Sequence, residues 1–108
     1  MEKILNYING QLVESSNGQV LNNLDPAIGE VYSLIPDSDE KDIEMAVDAA
    51  KMAAKSWAES SIEYRSAVLN KIADLIDENL DDLAKAESID NGKPISLARS
   101  VDIPRASA

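Results

Sequence analysis

The spacing of apolar and polar residues divides the chain at Pro36. Before Pro36, short β-prone runs alternate with turn residues, which predicts strands joined by tight turns. Asn9-Gly10 is a strong signal for a two-residue hairpin turn, and Asn17-Gly18 and Pro26 with Gly29 mark further turns. The predicted strands cover residues 5–9, 11–14, 19–24 and 30–35.

After Pro36 the apolar residues recur at helical spacing. The first helix is predicted to begin at Asp37-Ser38-Asp39, whose carboxylates suit a helix amino terminus. Its apolar residues fall on one face, namely Ile43, Ala46, Val47, Ala50, Ala53, Ala54 and Trp57. A second helix is predicted to begin at Ser60, which forms a capping-box pattern with Glu63. The apolar residues of this second helix are Ala67, Val68, Ile72, Leu75, Ile76 and Leu80.

The last third of the chain contains helix stop and start signals. A bend at Asn79 is predicted to restart the helix, which then ends at Asn91-Gly92. Pro94 fits the first turn of a further helix, and Pro104 is expected to kink that helix because proline has no N–H to donate.

These elements predict an α+β chain, with amino-terminal β-hairpin strands over residues 1–36 and three or four helices over residues 37–108. At 108 residues the chain is at most one domain. No strand follows the helices, so a complete α/β wrap is not expected. We therefore interpret the chain as an incomplete part of a larger domain.

Composition restricts the chemistry. A net charge of −10 disfavours nucleic acid and anionic membranes as partners, and solubility explains the acid excess. The chain has no Cys and no His, which excludes thiolate catalysis, Ser–His dyads and the usual zinc sites. Its four glycines never form a phosphate-binding spacing. Without a membrane-length apolar run or a signal peptide, a cytoplasmic location is expected.

Several blocks, in their order along the chain, resemble the amino-terminal part of NAD(P)-dependent aldehyde dehydrogenases. They are Tyr7-Ile8-Asn9-Gly10, Leu24-Asp25-Pro26 with Gly29-Glu30-Val31, the Asp42 to Ala50 helix, Trp57, Arg65, the run from Leu69 to Ile76, and Asp90-Asn91-Gly92-Lys93-Pro94. The resemblance implies that residues 1–108 are the incomplete amino-terminal part of the coenzyme-binding domain of an α/β enzyme. Such an enzyme oxidises aldehydes with NAD or NADP.

The family's catalytic groups have no match in this chain. They are a nucleophilic Cys, a general-base Glu, an oxyanion-hole Asn and a Gly-rich coenzyme turn. The resemblance therefore implies a scaffold segment with no catalytic or coenzyme-binding residues, inactive alone and binding no coenzyme. Its expected partners are the remainder of the parent chain and, through the uncovered apolar face, other copies of itself. The alternative is a free-standing acidic structural or binding module without enzymatic activity.

The ending from Ala98 to Ala106 resembles the subgroup that oxidises 2-amino- or 2-hydroxymuconic 6-semialdehydes, which carries Asp-Ile-Pro-Arg here. The resemblance implies that Arg105 faces the substrate tunnel and binds a substrate carboxylate. A guanidinium is always charged and can bind a carboxylate through two hydrogen bonds. The alternative is an ordinary surface arginine near a helix end.

The resemblance also implies a structural cation, held by the Asp90 carboxylate and the backbone carbonyls of Asn23 and Leu24. Oxygen ligands of this kind suit a hard cation. The alternative is that Asp90 caps the Asn-Gly turn. Two acidic clusters, Asp37-Asp39-Glu40 and Asp81-Asp82, are explained by helix capping and by the helix dipole.

Overall fold

The computed structural model describes all 108 residues, which form two compact units. The first unit contains Met1–Leu24 and Val31–Glu59, and the second contains Asp25–Glu30 and Ser60–Ala108. The units therefore do not follow the boundary at Pro36 between strands and helices. The order of elements nevertheless confirms the predicted α+β class, since five strands precede all the helices.

The amino-terminal hairpin consists of β2 (Asn6–Ile8) and β3 (Gln11–Val13), which pair antiparallel. Between them, Asn9 has φ 52° and Gly10 has φ 75°. A two-residue turn of type I′ requires positive φ at both positions, and Asn and Gly are the residues that tolerate it best. The hairpin predicted from Asn9-Gly10 is confirmed.

The remaining strands form a three-stranded sheet in the order β1-β5-β4. They are β1 (Glu2–Lys3), β4 (Val20–Asp25) and β5 (Glu30–Pro36). Strand β1 pairs parallel with β5, placing Glu2 opposite Ser33 and Lys3 opposite Leu34. A strand of two residues is too short to show an alternation of apolar and polar side chains. The sequence therefore predicted only antiparallel hairpins and not this parallel pairing.

Helix α1 (Glu40–Glu59) completes the first unit. The Oδ1 atom of Asp39 accepts hydrogen bonds from the N–H groups of Lys41 and Asp42, at 3.0 and 3.3 Å. Asp42 returns the contact, because its Oδ2 accepts from the Asp39 N–H at 3.0 Å. Reciprocal bonds of this kind satisfy N–H groups that a helix start leaves unpaired. The capping role predicted for the first acidic cluster is confirmed at Asp39.

The second unit contains α2 (Ile62–Glu78) and α3 (Leu80–Asn91), separated by the predicted bend at Asn79. The predicted cap of α2 was wrong by one residue. Ser61, not Ser60, is the N-cap, since the Ser61 side chain accepts from the Tyr64 N–H. As predicted, α3 ends at Gly92, which adopts a left-handed conformation with φ 79°.

A final helical segment changes its winding partway. Helix α4 (Ile95–Leu97) runs into a π-helical turn (Ala98–Asp102), which continues as α5 (Ile103–Ser107). The N–H of Ile103 donates to the Ala98 carbonyl, five residues back instead of four. Pro104 comes directly after Ile103 and has no N–H group to donate to a carbonyl of the preceding turn. The kink expected at Pro104 is therefore seen as the wider π-helical turn before it. Pro94 precedes α4 as its N-cap residue, which corrects its predicted place in the first turn.

The core of the second unit is small. Ala84 on α3 and Ala98 in the π-helical turn are fully buried, and α5 packs against α2. Small side chains at these positions allow the helices to approach closely. None of the helices combines the length and the apolar character that crossing a bilayer would require.

Candidate functional site

Two sequence blocks that lie far apart along the chain meet in the second unit. The Asp25 to Glu30 turn is closed by hydrogen bonds to Asp25, whose carbonyl accepts from Gly29 at 2.8 Å and whose Oδ1 accepts from Ala27 at 3.0 Å. Pro26 of this turn lies against Gly92. A Cβ atom placed on Gly92 would come within 3.0 Å of the Pro26 Cγ. The absence of a side chain at Gly92 therefore permits the contact.

Side chains hold the backbone of Lys93 on both sides of the residue. The Oδ1 atom of Asn91 accepts from the Lys93 N–H at 2.8 Å, and the Ser88 hydroxyl donates to the Lys93 carbonyl at 2.7 Å. The Asn91 amide also donates to Glu87. This network fixes the point from which the Lys93 side chain leaves the turn.

The Lys93 ammonium group contacts the carboxylate of Asp102, the last residue of the π-helical turn. The Nζ to Oδ2 distance is 2.6 Å, and the two side chains are 37% and 27% exposed. Asp102 Oδ2 is shielded from solvent, and the contact is an ion pair without the alignment of a good hydrogen bond. This pair was not predicted, because neither Lys93 nor Asp102 stands out in the sequence by type or spacing.

Arg105 lies three residues beyond Asp102 on α5, and its side chain is exposed. No acidic side chain forms an ion pair with it. Arg99, on the same helical segment, donates from Nε to Asp81 Oδ1 at 2.6 Å, which raises the pKa of the Arg99 guanidinium. Of the basic residues from Lys93 onwards, Arg105 alone has no acidic partner.

The three residues predicted to hold a cation belong to different units. Asn23 and Leu24 lie on β4 in the first unit, and Asp90 lies on α3 in the second. The Asn23 side-chain amide donates to the Tyr32 hydroxyl at 3.0 Å and to the Ser33 hydroxyl at 3.1 Å, so this side chain is engaged with β5. Nowhere do three or more acidic side chains gather as a metal-binding cluster. The predicted cation site has only one carboxylate, and its other ligands are backbone carbonyls. The absence of a cluster of acidic side chains therefore does not test it, and it stays a prediction.

The turn between β5 and α1 does not fit the pyrophosphate of a nicotinamide coenzyme. Such a group binds at a glycine-rich turn between a strand and a helix, where free N–H groups point at the phosphates. The turn between β5 and α1 carries Asp37 and Asp39 and no glycine. Its N–H groups at Asp39, Lys41 and Asp42 already donate to carboxylates. Negative charge at this turn would repel a phosphate.

The aldehyde dehydrogenase family matches residues 12–108 of this chain. The chain is 46% identical over 101 residues to 2-aminomuconic semialdehyde dehydrogenase of Bos taurus, a match that covers 94% of this chain and 20% of the relative. The Danio rerio protein of the same name is 48% identical over 100 residues, covering 93% and 20%. Aldehyde dehydrogenase B of Escherichia coli (strain K12) is 41% identical over 101 residues, covering 94% and 20%.

Solved structures share the fold. PnpE from Pseudomonas sp. WBC-3 superposes with a TM-score of 0.94 at 34% identity, over 100% of this chain and 22% of that one. HpcC from Thermus thermophilus superposes with a TM-score of 0.94 at 31% identity, over 98% and 20%. The chain thus spans about one fifth of the length of the relatives that it matches.

Proposed function

Because the chain belongs to the aldehyde dehydrogenase family, we propose that it forms part of an enzyme that oxidises a carboxylate-bearing semialdehyde to an acid with NAD or NADP. Within that enzyme the 108 residues provide scaffold and one substrate contact. Oxidation itself requires a nucleophile and a coenzyme turn, which would lie in the four fifths of a relative's length that this chain does not match. PnpE, a structural neighbour, was solved in complex with nicotinamide adenine dinucleotide, which supports the choice of coenzyme.

The unpaired guanidinium of Arg105 carries the proposal. An exposed arginine without an acidic neighbour keeps all its donors available, and its planar group binds a carboxylate through two parallel hydrogen bonds. The similarity to 2-aminomuconic semialdehyde dehydrogenases supports a substrate with an aldehyde at one end and a carboxylate at the other. Arg105 would bind the carboxylate end and so orient the aldehyde end for reaction.

Arg105→Ala in the full-length enzyme tests this role. We expect kcat/KM to fall about tenfold or more for a semialdehyde with a remote carboxylate, because a charge-assisted contact is lost. An uncharged aldehyde of similar length should be oxidised at nearly the original rate. Steady-state kinetics on both substrates provide the measurement.

Arg99→Ala is the matched control, since Arg99 lies on the same helical segment and is already paired with Asp81. It should leave the ratio between the acidic and the neutral substrate unchanged. Equal losses on both substrates in Arg105→Ala would show that Arg105 has a structural role and would refute the proposal.

A further inference from the structure

The Lys93–Asp102 ion pair differs from the other ion pair of the same helical segment. Its side chains are 37% and 27% exposed, whereas those of Arg99 and Asp81 are 60% and 75% exposed. Exposed pairs contribute little to stability, but a shielded carboxylate oxygen is costly to leave without a cation. Asp102 therefore favours a positively charged partner more than the exposed Asp81 does.

Three cations are candidates to pair with Asp102, namely Lys93, Arg99 and Arg105. Arg99 and Arg105 precede and follow Asp102 by three residues, and Arg99 is already paired with Asp81. The backbone at Asp102 and Ile103 is right-handed helical, and side chains three residues apart are neighbours on a helix surface. An Asp102–Arg105 pair is therefore possible at this spacing. In the structure Asp102 pairs with Lys93, and Arg105 stays unpaired.

We infer that Lys93 keeps the Asp102 carboxylate from neutralising Arg105, and so leaves Arg105 free to bind a carboxylate of the substrate. This inference rests on the proposed role of Arg105. It makes Lys93 a positioning residue that determines specificity without touching the substrate. The Lys93 backbone is held in place for this role, because Asn91 accepts from its N–H and Ser88 donates to its carbonyl.

The inference predicts an unusual pattern among variants of the full-length enzyme. Lys93→Met releases Asp102, which then pairs with Arg105 and competes with the substrate carboxylate. KM for the acidic semialdehyde should rise about tenfold, with kcat and the kinetics of a neutral aldehyde little changed. Asp102→Asn removes the competing charge and should leave KM for the acidic substrate close to its original value.

The double variant Lys93→Met with Asp102→Asn distinguishes a positioning role from a structural one. We expect it to recover low KM for the acidic substrate, because Arg105 is again unopposed. Lys93→Arg should retain the original KM, since it keeps the charge. Asp81→Asn, which breaks the exposed pair with Arg99, serves as the control and should change neither substrate's KM.

A simple brace between two elements would behave differently. Lys93→Met and Asp102→Asn would then impair the oxidation of both substrates alike, and the double variant would not recover a low KM. This result would overturn the inference. An unchanged KM for the acidic substrate in Lys93→Met would also overturn it. If Lys93→Met does not fold, Lys93→Gln removes the same charge, and its KM values for the acidic and the neutral substrate test the inference in the same way. A failure of Arg105→Ala to separate acidic from neutral aldehydes would instead refute the proposed function itself.

Discussion

Gly92 shows how one missing side chain allows two distant turns to meet. Its φ of 79° lies in the left-handed region, which glycine adopts without steric cost. A Cβ added to Gly92 would lie 3.0 Å from the Pro26 Cγ, so Pro26 would have to move by a few tenths of an ångström. Both the conformation and the contact therefore favour glycine at this position, whereas a turn that needed only positive φ would also accept asparagine.

The two requirements can be separated by substitution. Gly92→Ala should reduce the free energy of unfolding by about 2–3 kcal/mol, combining left-handed strain with the clash against Pro26. Gly18→Ala is the matched control, because Gly18 has φ 70° and nothing within 4 Å of the added Cβ. It should lose only the conformational part, about 1–2 kcal/mol. Chemical denaturation of both variants measures the difference, and equal losses would mean that the Pro26 contact adds nothing.

The start of α1 connects a helix to a distant loop through one carboxylate. Asp42 is 4% exposed, and its two oxygens accept from the N–H of Asp39 at 3.0 Å and from the N–H of Ser16 at 2.8 Å. The hydrogen bond from Asp39, assisted by that from Ser16, lowers the pKa of the Asp42 carboxyl, although burial opposes the shift. An acid at this position therefore caps the helix and also fastens the loop before β4.

This arrangement predicts a stability that depends on pH. The pKa of Asp42 in the folded chain lies below its ordinary value of 3.8, so the ionised carboxylate stabilises the fold above that value. The contribution disappears as the pH falls through the folded pKa. Asp42→Asn should therefore lower the melting temperature at neutral pH, and the difference from the original chain should shrink towards about pH 2. A difference that is the same at both pH values would contradict the assignment.

At the scale of the whole molecule, the predicted apolar face of α1 is exposed. Ile43 is 61% exposed, Val47 is 43% exposed and Trp57 is 41% exposed. Contiguous apolar surface of more than a few hundred Å² on a soluble protein usually binds a partner. In a longer aldehyde dehydrogenase the partner would be the rest of the chain.

The 108-residue chain alone is therefore expected to associate with itself. Light scattering should give a mass above the 11.7 kDa of one chain. Val47→Lys should reduce the association, since it places a charge within the apolar face. Glu44→Lys changes charge outside that face and provides the control. A strictly monomeric chain would contradict the expectation.

Local features of the fold could be predicted from sequence, and contacts between distant residues could not. The Asn9-Gly10 hairpin, the bend at Asn79 and the stop at Gly92 depend on neighbouring residues, so their sequence signals were sufficient. The parallel pairing of β1 with β5 joins distant residues and leaves no local pattern. The N-cap of α2 was misplaced because Ser60 and Ser61 are both good caps, and only the backbone course selects Ser61.

The candidate site divides in the same way. The role of Arg105 was predicted from a short motif and a resemblance, both of which can be read along the chain, and it stays a prediction. The Lys93–Asp102 pair depends on the Asn91 turn and the π-helical turn coming together in the fold. No spacing rule relates these two residues, so the structure was needed to find the neighbour that leaves Arg105 unpaired.

The π-helical turn gives the last helical segment a tolerance to a change of length in one direction only. Such a turn is equivalent to one residue inserted into an α-helix. Because the wider turn takes up that residue, deleting one residue from Ala98–Asp102 would close it to an ordinary α-helical turn and leave Arg105 pointing in nearly its original direction. A further inserted residue that no wider turn takes up would instead rotate Arg105 by about 100°. In relatives of this chain, a stretch one residue shorter would therefore still present the arginine of an intact Asp-Ile-Pro-Arg motif in the same direction.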